Sequence, residues 1–393
     1  MVYQMLAALI LNMNLTLFFF QMPYRVLDLG GTQEIVGMLS MIHSVIYVAS
    51  TAILGRKIPD AKKVGRNLTC VLLMLIGIYI ATCLSGHYAV LFPLVALHAV
   101  CVGMFWPMFW SGFAVSRGKS VEMSTSVILI NGLGALSPAL GGYLYPILNR
   151  YLMCVSAAAL ITLLVFRRPL MILDRGMIQR NENSDVSTFL IRKKIPAYAK
   201  PCSLSSYQTA TLLVVIWGIM FAAGYMEGVF RSSAGIYLLH HGYGSDVWGT
   251  LQSVKFLCTT GTVILYRFFR EEIAVLFRMK QKWILWGAIL GAGALLMMGV
   301  SRTGFLYVGM ALLGSAYGGL TFSCMYAGSK IVRNYGLNIG GLSECVLGLG
   351  ILIGSLISGF SQNNPFFMLI VFGGILIVLP LFIKRENDDK EKA

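Results

Sequence analysis

Apolar stretches of about 20 residues recur along this chain, divided by short charged loops, and nothing else in it restricts the fold so severely. A helix of that length rises about 30 Å, the depth of the hydrocarbon core of a bilayer. In that medium every backbone N–H and C=O must be paired within the spanning structure, which leaves helices and closed barrels. A barrel strand alternates polar and apolar residues, and these runs do not. Hydrophobic residues make up 57% of the 393 and charged residues 12%. Two or three soluble domains of this length could not hide so much apolar surface.

Twelve spans are expected, at 2–22, 34–54, 68–85, 88–115, 123–147, 151–166, 207–239, 246–268, 283–300, 304–332, 337–360 and 365–383. The resulting fold class is an all-α integral membrane protein with two six-helix bundles. Residues 1–166 form the first bundle, 167–206 a basic linker, and 207–393 the second bundle with a short tail. The linker holds eight of the 31 Lys and Arg residues, together with Pro169, Pro196 and Pro201. The stretch 2–22 lacks a basic leading region and is long for the core of a signal peptide, so it is read as a retained first helix.

A net charge of +15 invites a nucleic-acid reading, and its distribution argues against one. Laid on alternate sides of the spans, 26 Lys and Arg fall on the linker's side, three on the other (Arg25, Arg150, Arg302), and Arg231 and Lys255 within spans. That is the positive-inside bias, which places the linker and both termini in the cytoplasm, beside anionic lipid headgroups. The expected location is the cell membrane, with the lipid bilayer as partner and no nucleic acid. The eight cysteines are scattered, with no Cys-x-x-Cys and no His cluster, so neither a disulfide framework nor a metal site is indicated.

A repeat joins the two halves at a spacing of 212 residues. Residues 27–39 overlay 239–251, matching Leu27 with Leu239, Gly30 with Gly242, Glu34 with Asp246, Gly37 with Gly249 and Leu39 with Leu251. Acidic residues commonly open helices, but here the same pattern returns six spans later in the same orientation. A parallel pseudo-two-fold repeat of six-helix units is the expectation.

The loop after the second span carries Gly55, Asp60, Lys62, Lys63, Gly65 and Arg66, and the fifth span carries Gly134, Ser137, Pro138, Gly141 and Gly142. With these residues the chain resembles the major facilitator superfamily over its whole length, and its antiporter-type members most. The resemblance implies a gating role for Gly55, Asp60, Arg66, Gly134, Pro138, Gly141 and Gly142. It also implies a central cavity lined by spans 1, 4, 7 and 10, with spans 5 and 11 at the seam between the bundles. Small residues suit such a seam: Gly132, Gly134, Gly141 and Gly142, and Gly348, Gly350, Gly354 and Gly359, allow close backbone approach.

Ionisable groups inside apolar segments carry the most chemical information, because each costs about 2.5–3.5 kcal/mol at mid-bilayer. They are His43, His98, Glu227, Arg231, Lys255 and Glu344, and counting inward from the span ends gathers most of them near one depth. Glu227 and Arg231 are four apart and share a helix face. That spacing suits a substrate-binding pair and equally a self-neutralising one. Lys255 and His43 are 212 residues apart, at matching positions of the repeat. The substrate-binding candidates are Glu227, Arg231, Lys255, His98, Trp106, Trp110, Tyr225, Tyr317, Asn12 and Gln21. The proton-coupling candidates are Glu344, Glu227 and His43, with Glu344 preferred because no cation lies within a helical turn of it in sequence.

No catalytic motif and no nucleotide-binding loop is present, so the chain is not expected to be an enzyme or to need a cofactor. The reading is a secondary active transporter for a small molecule, a proton-coupled exporter functioning as a monomer. One alternative is uptake or exchange of a small anion, and another is a non-transporting sensor on a transporter scaffold. Cysteine labelling or reporter fusions are expected to find residues 56–66, the linker and the C-terminus in the cytoplasm; a C-terminus labelled from outside would overturn the span count.

Overall fold

The computed structural model describes residues 2–54, 61–114, 120–167, 206–268, 280–299, 302–332, 339–360 and 364–382. Among these the regular structure is helical, without a strand. In the first half the helices are α1 (Val2–Asp28), α2 (Gln33–Leu54), α3 (Ala61–Leu84), α4 (Leu91–Ala114), α5 (Ser120–Gly134), α6 (Leu136–Leu148) and α7 (Leu152–Val165). In the second they are α8 (Ser206–Ser232), α9 (Ala234–His240), α10 (Ser245–Phe268), α11 (Lys280–Met298), α12 (Thr303–Val332), α13 (Ile339–Phe360) and α14 (Phe367–Phe382). Six stretches among the described residues are long and apolar enough to cross a membrane, and three shorter apolar helices accompany them. Outward-facing side chains are apolar too: Ile53, Leu84, Ile147 and Val165 are 71, 74, 77 and 68% exposed. A surface of that kind belongs in lipid.

Three differences from the expected spans have local causes. The first helix runs six residues past its expected end, through Pro23, so Arg25 lies in its last turns and not in a loop. There Arg25 is buried and donates to the Ser85 carbonyl, a position where the helix dipole favours a cation. The fifth span is broken at Ala135 into α5 and α6. Pro138 has no N–H for the Gly134 carbonyl, and its ring crowds that carbonyl. The seventh span is broken at Ser233 into α8 and α9. Ser232 Oγ turns back to the Gly228 carbonyl at 2.8 Å and meets Ser358 Oγ at 2.7 Å, the kind of back-bonding that bends helices.

The passages 212 residues apart share local structure. Gly30 and Gly242 both have positive φ, at 77° and 83°. Gly30 N–H donates to Leu27 O and Gly31 N–H to Val26 O, while Gly242 N–H donates to Leu239 O and Tyr243 N–H to Leu238 O. Each is the same helix-ending motif, in which a left-handed glycine satisfies the orphan carbonyls of the last turn.

First-half and second-half helices meet along two seams, α2 against α13 and α5–α6 against α10. The seams use corresponding residues. Gln33 Nε2 donates to Ser358 O at 3.2 Å, and Ser245 Oγ donates to Gly142 O at 3.1 Å. Gly37 lies backbone to backbone against Gly359, and Gly249 against Gly142. Gln33 with Ser245 and Gly37 with Gly249 keep the 212-residue spacing. Gly350 and Gly354 in turn bring α13 onto the backbone of Phe221 and Tyr225 in α8. Gly249→Leu is expected to wedge α10 from α6 and lower stability by about 1–3 kcal/mol, whereas Gly77→Leu, at a glycine with open space beside it, changes nothing; thermal unfolding of the two purified variants checks this.

Candidate functional site

One helical turn of α8 places Glu227 and Arg231 on the same face, with Arg231 Nε 3.3 Å from Glu227 Oε1. The next long helix, α10, brings Lys255 Nζ to 2.8 Å from the other oxygen, Oε2. One carboxylate therefore holds two cations from two helices. Lys255 is 1% exposed, while Glu227 and Arg231 keep 15 and 16%. The lysine is the fully buried member of the group, and the other two are partly exposed.

Aromatic rings complete the surroundings. Lys255 Nζ lies 4.7 Å from the ring centres of both Phe230 and Phe256 and 5.7 Å from that of Tyr317, on α12. The Arg231 guanidinium lies over the ring of Phe19, on α1, at 4.1 Å. Such rings hold a desolvated cation by their quadrupole without neutralising it. His43 also meets the Phe19 ring, edge-on at 4.7 Å. His43 Nε2 and His98 Nδ1 are 3.2 Å apart, the Tyr79 hydroxyl is 3.4 Å from His98 Nε2, and Phe18 stacks on His98 at 4.0 Å. One of the two facing imidazole nitrogens must carry the proton and the other accept it.

Tyr47 lies one turn beyond His43 on α2, with the two rings stacked at 6.3 Å. Its hydroxyl donates to Glu344 Oε2, on α13, at 2.6 Å, and this bond crosses the α2–α13 seam. The six ionisable residues singled out in the sequence are thus arranged as an ion-pair cluster, a histidine pair and a tyrosine-bound carboxylate. Phe19 and Tyr47 connect them. Sequence reasoning missed both linking residues: Phe19 sits in a run of three phenylalanines, and Tyr47 is marked only by its four-residue spacing from His43.

Several other candidates have partners elsewhere. Asn12 Nδ2 donates to Ile130 O at 3.2 Å and Gln21 Nε2 to Asn149 O at 3.0 Å, so each amide nitrogen is taken by a neighbouring backbone carbonyl. Tyr225 turns toward Phe372 on α14, ring centres 4.5 Å apart. Trp106 is buried edge-on against Phe105 and Phe109, at 5.1 and 5.8 Å. Among the described aromatic candidates, Tyr317 is the one placed beside the cluster. Gly141 admits Leu17 and Phe20, Gly134 admits the Asn12 amide, and Pro138 O lies against Gly249. Gly55 and Asp60 lie outside the described residues, as do the side chains of Arg66 and Trp110. Among the described residues no group of three His, Cys, Asp or Glu could hold a metal ion.

Burying charge is costly, and removing one member of a buried pair leaves the other uncompensated. Glu227→Gln is expected to lower stability by about 3–5 kcal/mol, because it leaves both Arg231 and Lys255 without their carboxylate, and adding Lys255→Met to recover part of it by removing the more deeply buried cation. Thermal unfolding of the single and double variants in detergent decides; equal loss in both would mean that Lys255 is not the charge left stranded.

Neither a family model nor a curated protein sequence matches the chain. Among solved structures, 247 chains match. One is the crystal structure of tetrameric PepTSo2, similar with a TM-score of 0.64 over 96% of this chain and 94% of that one, at 13% sequence identity. At that identity the likeness shows the fold alone, and this chain shares the fold of that structure over nearly its whole length.

Proposed function

We propose that this protein is a secondary active transporter that moves a small molecule across the cell membrane by alternating access, as a proton-coupled exporter. The observation that carries the reading is the placement of the charges. Glu227, Arg231 and Lys255 lie inside the bundle, and the Tyr47–Glu344 bond spans a seam between the chain's halves. Charged groups so costly to bury are kept where they bind a cargo or change partner as the seam opens. Two six-helix bundles, 1–166 and 207–393, rock about this layer as one monomeric unit, with the linker and both termini in the cytoplasm. The seams suit such motion, because glycine backbones meet there at close range.

The export direction rests on the resemblance of Gly134, Pro138, Gly141 and Gly142 to the antiporter motif. These residues occupy the break between α5 and α6 and its contact with α10. Uptake or exchange of a small anion is the second reading, and the arginine favours it. Among the described residues Arg231 hydrogen-bonds through Nε alone, so its two Nη nitrogens remain for a carboxylate or phosphate oxygen. Proteoliposomes with imposed pH gradients of either sign separate the two readings by the direction of accumulation.

In this mechanism Glu344 carries the proton, and Glu227 stays ionised between its two cations. Glu344→Gln is expected to abolish pH-driven transport while substrate binding persists and no longer varies with pH; undiminished accumulation by that variant would remove Glu344 from the mechanism. Lys255→Ala is expected to weaken binding of an anionic ligand at least tenfold more than that of its neutral analogue, measured by titration, whereas equal loss for both would return the lysine to a structural role.

A further inference from the structure

We propose that Cys83 and Cys154 form a thiol pair that closes to a disulfide from the non-cytoplasmic side of the membrane. The two residues are 71 apart in sequence, at the end of α3 and the start of α7, and their sulfurs are 3.4 Å apart. Both are free thiols, Cys83 buried and Cys154 exposed. A disulfide has a sulfur separation of about 2.05 Å, so the bond needs an approach of about 1.4 Å. No other pair of described cysteines makes a recorded sulfur contact.

Their position gives the contact its meaning. Cys83 precedes the turn at Ser85 and Cys154 follows the turn Asn149–Tyr151, both at one end of the bundle. Arg25, bonded to Ser85 O, and Arg150, one turn before Cys154, are two of the three basic residues on the side opposite the linker. The charge bias places that side outside, where disulfides persist. The sidedness rests on the topology proposed above, and the pairing rests on the geometry alone.

The chemistry requires a low-molecular-weight disulfide as oxidant. The exposed Cys154 thiolate attacks it, forming a mixed disulfide and releasing one thiolate. The Cys83 thiolate then attacks the Cys154 sulfur, and the second thiolate leaves. Two protein thiols are oxidised, the oxidant is reduced to two thiols, and the two protons pass to these. The new bond ties α3 to α7 within the first half and crosses neither the α2–α13 nor the α6–α10 seam. It therefore stiffens one moving body without locking the cycle.

The test treats the purified full chain with oxidised glutathione, alkylates the remaining thiols and maps peptides by mass spectrometry. The expected product is a peptide joining Cys83 to Cys154, lighter by two hydrogens than its two parts. It disappears in Cys154→Ser, while Cys83→Ser traps the glutathione adduct on Cys154. A stable adduct on wild-type Cys154 with no linked peptide, or no reaction at either thiol, overturns the pairing. The linked peptide is also expected in right-side-out vesicles given the impermeant oxidant outside. Its formation only after permeabilisation would overturn the sidedness while leaving the pair intact.

Discussion

A single carboxylate shared by two cations governs the interior. Glu227 contacts Arg231 one turn along α8 and Lys255 on α10, at 3.3 and 2.8 Å. None of the three could be buried alone, since an isolated buried charge costs several kcal/mol. The cluster therefore sets the rotation of α8 and α10 about their axes. Phe19, Phe230, Phe256 and Tyr317 then surround cations whose positions are already determined.

The backbone breaks relate to this cluster. Helix α8 ends one residue after Arg231, where Ser232 bonds back to its own helix and across to Ser358 on α13. Helix α5 ends at Gly134, four residues before Pro138, and α6 then lies against α10 through Gly142 and Gly249. Both breaks fall in helices that meet across the seams or hold the charges. A bend at such a place lets one half of a helix move while the other keeps its contacts.

The pairing of His43 with His98 gives the 212-residue correspondence a physical reading. His43 and Lys255 hold matching sequence positions, and both are buried polar groups satisfied by a neighbouring helix. Their partners differ in kind, however. Lys255 meets a carboxylate, while His43 meets a second imidazole and an aromatic surround. At these two positions a polar group recurs but its chemistry does not: Lys255 belongs to an ionic cluster and His43 to a hydrogen-bonded histidine pair.

The helical character of the apolar stretches was legible in the sequence, because apolar length acts locally, whereas the break at Ala135 was not, since the fifth span reads as continuous over 123–147. The glycines at 37, 142, 249 and 359 were legible as small residues, but which backbone each would meet was not. The four-residue spacing pointed to the Glu227–Arg231 contact, whereas the assignment of Lys255 to Glu227 and of Glu344 to Tyr47 belongs to the tertiary structure. So does the approach of Cys83 to Cys154. A helix constrains its own neighbours at three and four residues, while its rotation against another helix is settled only by packing and by the need to pair every buried charge. By itself the sequence determined that the chain forms apolar helices bearing a few charges; the tertiary structure decided which of those charges touch.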